Sequence, residues 1–322
     1  MPTIGFFSAS TPITALSPQR FARAQVYLRS KGYSLIPGDL TGRQDAYRSG
    51  SVQARAAELN QLIHNDQIDI IMSTIGGNDA NAVLPYLDYT YLRAHPKKFI
   101  GFSDTTALLM AVMAQTNSQV FYGPALVASF GEFSPYVDET YAYFAAVTAM
   151  QQSALNLPAP KYWTDEALNW EIFQKPKERR PNAWGWRNQS RLTGRLIGGN
   201  LNTLDGIWGT PYMPDIQRGD LLLIEDAEKD AATIERSFAH LALAGIFDQV
   251  SGIVLGKHAL FNNQGSGKRP VDILTEILGE RQVPVVFDFD ASHTVPMMTM
   301  PLGQVMTIDA VAQTVSIRPT SA

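Results

Sequence analysis

Four short apolar runs, Thr3–Phe7, Tyr33–Ile36, Asp69–Ser73 and the one from Lys98 to Phe102, are each followed by a stretch of helical period. Strands spaced this way cannot be joined by tight hairpins, because parallel neighbours need a crossover. The alternation therefore predicts βαβ units and a mainly parallel sheet flanked by helices. Helices are expected over about Pro18–Ser30, closed by Lys31-Gly32, and over Val52–Asn65. Ala56, Leu59, Leu62 and Ile63 share one face of the second. Ala80–Leu87 and Thr105–Thr116 complete the set.

The pattern breaks from about Gln151 to Ser190. Pro158, Pro160, Pro176 and Pro181 stand there among Trp163, Trp170, Trp184 and Trp186, and a run of charge covers Lys175–Arg180. This reads as a linker plus a long loop, of the kind that is usually functional. Its tryptophans suit either packing between domains or ligand contact. Periodicity resumes at Thr193 with strands at Gly194–Ile197, Asp220–Ile224, Gly252–Leu255 and Val283–Asp288. Helices are expected over Asn202–Ile207 and Asp230–Ala244, and a terminal hairpin over about Gly303–Ile317. The expected organisation is an α/β domain at 1–150, a linker and Trp-bearing loop at 151–190, and a smaller, β-rich α+β domain at 191–322.

Composition narrows the classes of function. At 322 residues and 45% hydrophobic, the chain can bury a large core. Its net charge of −4 provides no basic field for a nucleic-acid polymer. The lack of cysteine excludes disulfides and thiolate chemistry. No apolar run reaches the roughly 18 residues that span a bilayer, and a cytoplasmic setting is expected.

The segment Gly101-Phe102-Ser103-Asp104-Thr105-Thr106 turns a buried strand into a helix at a serine. A serine on such a corner stands out at the carboxyl edge of the sheet, with the next amide facing a developing oxyanion. The plainer reading is a helix cap. A nucleophile needs a base and a group that orients it. Glu225 ends the apolar run Leu221–Ile224, and two histidines, His258 and His293, follow buried strands. Sequence spacing leaves both histidines open as the base. Gly76-Gly77 offers backbone amides after the strand Asp69–Ser73, at the edge where open α/β sheets bind ligands. Neither a Walker pattern nor a zinc-binding histidine pair is present, so neither a cofactor nor a metal is expected.

Ile75-Gly76-Gly77-Asn78, Gly101–Thr106, Gly194–Leu201, Leu223–Asp226, Glu235–Phe238 and His293–Pro296 occur in an order and spacing similar to the S66 serine peptidases. That family includes LD-carboxypeptidases and microcin C immunity proteins. The resemblance implies a Ser103–Glu225–His293 triad shared across a domain interface, oxyanion donors at the Gly77 and Asp104 amides, and a homodimer. Asn78, Lys229, Gly256-Lys257-His258 and the Trp184–Trp186 segment resemble the microcin-immunity branch more closely. Enzymes of that branch cleave the amide joining a C-terminal aspartate to a modified nucleotide, and an aromatic ring stacks on the base. This implies Gly76, Asn78, Trp184, Trp186 and Lys229 as substrate contacts, and a small peptide or peptidyl-nucleotide as substrate. A glutamate follows Gly-Lys-His in the branch pattern; Ala259 stands there in this chain. If that acid meets the substrate's charged end, its loss counts against microcin C as the substrate but leaves Ser103, Glu225 and His293 untouched. The alternatives are a murein tetrapeptide LD-carboxypeptidase and, in another class, a non-catalytic binding protein using the same cleft.

Overall fold

The computed structural model describes residues 2–150, 154–172 and 175–318. The first five strands, β1 (Thr3–Phe7), β2 (Ser34–Pro37), β3 (Ile70–Ser73), β4 (Lys98–Gly101) and β5 (Val120–Tyr122), pair in parallel in the order β2-β1-β3-β4-β5. Their residues are buried on both faces through most of the sheet, as parallel strands covered by helices must be. The strand order reverses direction between β1 and β3. At that switch point the loops after neighbouring strands diverge and leave a crevice at the carboxyl edge.

The excursion after residue 150 is more ordered than its composition implies. β6 (Leu155–Pro158) and β9 (Gly185–Arg187) become the two edge strands of the second sheet. Between them β7 (Tyr162–Trp163) pairs with β8 (Arg180–Pro181). Proline is tolerated at these positions because an edge strand leaves one side of its backbone unpaired. The supposed linker is therefore built into the sheet that follows it.

That sheet also contains β10 (Arg191–Asn200), β11 (Leu221–Glu225), β12 (Gly252–Gly256), β13 (Val285–Phe289), β15 (Val305–Asp309) and β16 (Thr314–Ile317). Its order is β6-β16-β15-β10-β11-β12-β13-β9, and β10 through β13 run parallel. The ten-residue β10 joins the parallel and antiparallel halves, since Arg191–Arg195 pairs with β15 and Leu196–Asn200 pairs with β11. The expected hairpin is β15–β16. Just before it, β14 (Met300–Leu302) leaves this sheet and pairs antiparallel with β5 of the first. The C-terminal region thus adds a strand to the N-terminal sheet.

The helices match the expected ones at Pro18–Ser30, Val52–His64 and Ala231–Leu243. Ala80–Tyr86 is instead a 3-10 helix containing Pro85. The helices Leu126–Phe130 and Tyr136–Thr148 were not anticipated. No helix among the described residues is long and apolar enough to cross a membrane.

Candidate active site

The carboxyl ends of both parallel arrays converge on one cleft of about 320 Å³. The loop after β3 supplies Ile75, Gly76, Gly77 and Asn78, and the turn after β4 supplies Phe102 and Ser103. Asn200 ends β10, Asp226 follows β11, and Ser292–Val295 lie beyond β13.

Ser103 is more than a cap. Its φ is 60°, in the left-handed region, and a 3-10 turn from Ser103 to Thr105 precedes the helix Thr106–Gln115. Its side chain caps neither helix. A non-glycine residue in that region is strained and persists only where its surroundings hold it. The loop carrying Gly76 presses against it: a Cβ on Gly76 would lie 2.6 Å from both Cβ and Oγ of Ser103. Only glycine allows this approach.

Asp104 holds that loop in place. Its buried carboxylate accepts from the Ser10 hydroxyl and from the Asp79 and Ala80 amides, the last two at 2.9 Å. Burial raises its pKa, and these three donors pull the other way. The Asp104 amide lies in the first turn of a helix, where backbone donors have no intrahelical partner. Gly77 sits at φ 153° and packs its Cα against Ser10.

Glu225 is the last residue of β11 and is 0% exposed. A buried carboxylate needs compensating donors, and it has four. His293 Nδ1 donates at 2.7 Å, the His293 amide at 3.1 Å and Asn200 Nδ2 at 3.2 Å. The Tyr122 hydroxyl is the fourth. Burial pushes Glu225 upward, but the His293 charge and these bonds hold it below its ordinary value. Burial likewise disfavours the imidazolium of His293, yet Glu225 outweighs it and raises that pKa. With Nδ1–H committed to Glu225, the lone pair of neutral His293 is on Nε2. The Phe102 ring meets the imidazole edge-on at 4.8 Å.

His258 does not line the cleft. Its Nδ1 donates to the Gly256 carbonyl at 3.0 Å, and burial lowers its pKa to about 4. Of the two histidines left open by spacing, only His293 combines a carboxylate partner with access to the cleft.

Of the residues that the resemblance implies as substrate contacts, Gly76, Asn78 and Lys229 line the cleft, whereas Trp184 and Trp186 do not. Trp184 is 4% exposed, packs on Phe289 and donates Nε1–H to Asp290 at 2.7 Å. Trp186 is half exposed on the edge strand β9, opposite Val286. The tryptophan that lines the cleft is Trp170, one of the four in the proline-rich stretch. Its ring is 4.2 Å from the Arg20 guanidinium carbon. Lys177, within the charge run Lys175–Arg180, also lines the cleft and pairs with Glu132 at 3.1 Å. Asn200 and Asn202 complete the polar lining. Among the described residues no cluster of three or more histidine, aspartate and glutamate side chains could hold an ion.

Residues 4–123 match the LD-carboxypeptidase N-terminal domain of the peptidase S66 family, and residues 193–308 match its C-terminal domain. The chain belongs to the peptidase S66 family. As a member, it is a serine-type carboxypeptidase. It is 52% identical over 306 residues to a putative carboxypeptidase from Vibrio cholerae, covering 95% of this chain and 92% of that one. It is 49% identical over 318 residues to the microcin C7 self-immunity protein MccF of Escherichia coli, covering 98% and 92%. The structure of wild-type apo MccF superposes with a TM-score of 0.96 at 48% identity, over 99% of this chain and 96% of that one. MccF structures at the same TM-score include complexes with aspartyl sulfamoyl adenosine, glutamyl sulfamoyl guanosine and, for a tryptophan-to-phenylalanine mutant, adenosine monophosphate.

Proposed function

We propose that this S66 peptidase hydrolyses the amide joining an acidic aminoacyl group to a nucleotide, by a Ser103–His293–Glu225 triad. The observation that carries the reading is the buried Glu225–His293 Nδ1 bond at 2.7 Å, on a histidine that shares its cleft with a left-handed serine. His293 Nε2 takes the Ser103 proton as Oγ bonds to the acyl carbon. Glu225 holds the imidazole in the required tautomer and stabilises the imidazolium. The Gly77 and Asp104 amides receive the oxyanion. His293 then protonates the departing nitrogen as the C–N bond breaks. Water, deprotonated by His293, releases the acid from the Ser103 ester.

Support for the nucleotide comes from Trp170, an indole on the cleft wall that offers a base a surface for stacking. The ligands in the MccF complexes are of this chemical kind. Lys229 lines the cleft near Asp226, whose pKa burial and the Glu225 charge raise against the weaker pull of Lys229, and it is suited to meet a substrate carboxylate or phosphate. With Ala259 in place of the branch's glutamate, the acids on the cleft wall are Asp226 and Glu228.

The test is intact-protein mass spectrometry after exposure to a fluorophosphonate, followed by turnover of an aspartyl-adenylate amide analogue beside a murein tetrapeptide. One adduct at Ser103, absent in His293→Ala, together with cleavage of the nucleotide substrate is the expected result. Cleavage of the tetrapeptide alone would replace the substrate assignment. An unlabelled, folded wild type would overturn the triad.

A further inference from the structure

Tyr122 lies at the junction of the two halves of the site, and nothing in the sequence pattern marks it. It ends β5 opposite Gly101 of β4 and Met300 of β14, and it is 0% exposed. Its ring slots against β10, where a Cβ on Gly199 would come within 2.9 Å of Cε2. Gly199 is held at φ 154°, a conformation that favours glycine, so β10 passes close enough for the ring to reach Glu225.

A phenol has one proton to donate and lone pairs to accept with, whereas an ionised carboxylate only accepts. The Tyr122 hydroxyl therefore donates to Glu225 Oε1, and its oxygen receives the Ser103 amide at 3.4 Å. One hydroxyl thus touches the backbone of the strained serine in the first half and the carboxylate behind His293 in the second. Burial and the Glu225 charge push the phenol well above its ordinary pKa, so it stays a donor.

We propose that Tyr122 is a positioning residue that couples the Ser103 turn to the Glu225–His293 pair through this single hydroxyl. The proposal rests on the triad reading above. It has two separable consequences. Through Ser103 N–H the hydroxyl helps to hold the serine turn in its left-handed conformation. Through Glu225 Oε1 it draws off part of the negative charge that Glu225 presents to His293. The other groups facing this pair are Asn200 and, at longer range, His258, Asp226 and Glu228.

Tyr122→Phe keeps the ring and removes the hydroxyl. The rate of Ser103 labelling by the fluorophosphonate, followed across pH in the full chain, is expected to fall about tenfold at its plateau. The acidic limb of the profile should move up by roughly half a pH unit, because an unshared Glu225 charge makes His293 more basic. Replacing residue 122 with 3-fluorotyrosine keeps the hydroxyl and makes it a better donor, so the limb should move down while the plateau stays near wild type. A limb that stays in place in both variants overturns the coupling, whatever happens to the plateau, because loosened packing alone does not titrate His293. Both arms need a labelled wild type. Its failure to react at Ser103 would instead refute the triad, and this proposal with it.

Discussion

Gly76→Ala tests how closely the two loops of the site meet. The added Cβ would lie 2.6 Å from Ser103 Cβ and Oγ, and 3.0 Å from the Asp104 amide. Carbon atoms rest about 3.5–4.0 Å apart, so relief requires a shift of roughly 1 Å. Neither neighbour gives easily. Ser103 is fixed at a left-handed turn directly after β4, and the Gly76 loop is tied through the Asp79 and Ala80 amides to Asp104. A misplacement of about 1 Å in a catalytic constellation costs on the order of 10²-fold in rate, or about 2.7 kcal/mol of barrier. Gly76 is not held at positive φ, so the fold loses only the cost of overpacking, about 1–3 kcal/mol. The assay is the second-order rate of fluorophosphonate labelling at Ser103, with urea denaturation on the same sample. Labelling within about threefold of wild type would refute the claim that the Gly76 approach sets the position of Ser103.

Three further results are expected. Trp170→Ala should raise KM for a nucleotide substrate about 5- to 150-fold, matching a stacking contribution of about 1–3 kcal/mol, with little change in melting temperature. Trp184→Ala should destabilise the fold by about 3–5 kcal/mol, because it empties a core site and strips a donor from buried Asp290. A larger effect of Trp184 than of Trp170 on KM, at equal stability, would reverse these assignments. His258 governs an acid sensitivity. Its pKa is held down to about 4 in the folded protein, so the unfolded chain takes up a proton near pH 6.5 that the folded chain refuses. Stability is therefore lost as pH falls through that window, by about 2 kcal/mol between pH 7 and 5. His258→Gln should remove that part of the pH dependence in urea midpoints. An unchanged slope would show that His258 protonates freely.

Much of the site could be read locally because its members stand where apolar runs end. Ser103 ends the run beginning at Lys98, Glu225 ends Leu221–Ile224, and Gly76-Gly77 follows Asp69–Ser73. A parallel strand exposes its chemistry where it leaves the sheet, and that point is visible as a change of residue type. The tryptophans were not legible in the same way. Trp170 and Trp184 have the same amphipathic ring in the same proline-rich stretch. Only the fold reveals that one faces the cleft and the other fills the core. β6 and β9 escaped notice because edge strands of three or four residues carry too little periodicity to register.

Periodicity and the points where apolar runs stop were enough to give the α/β architecture, the parallel strands and the carboxyl edge at which the candidate site lies. Spacing left two histidines open and the family resemblance implied His293; the fold puts His293, not His258, on Glu225. The fold also decided that Tyr122 bridges Ser103 and Glu225, and that residues 155–158 and 185–187 belong to the second sheet. Each of these is a contact between segments tens to more than a hundred residues apart. No local pattern encodes such pairings; they arise only when the fold brings distant segments together.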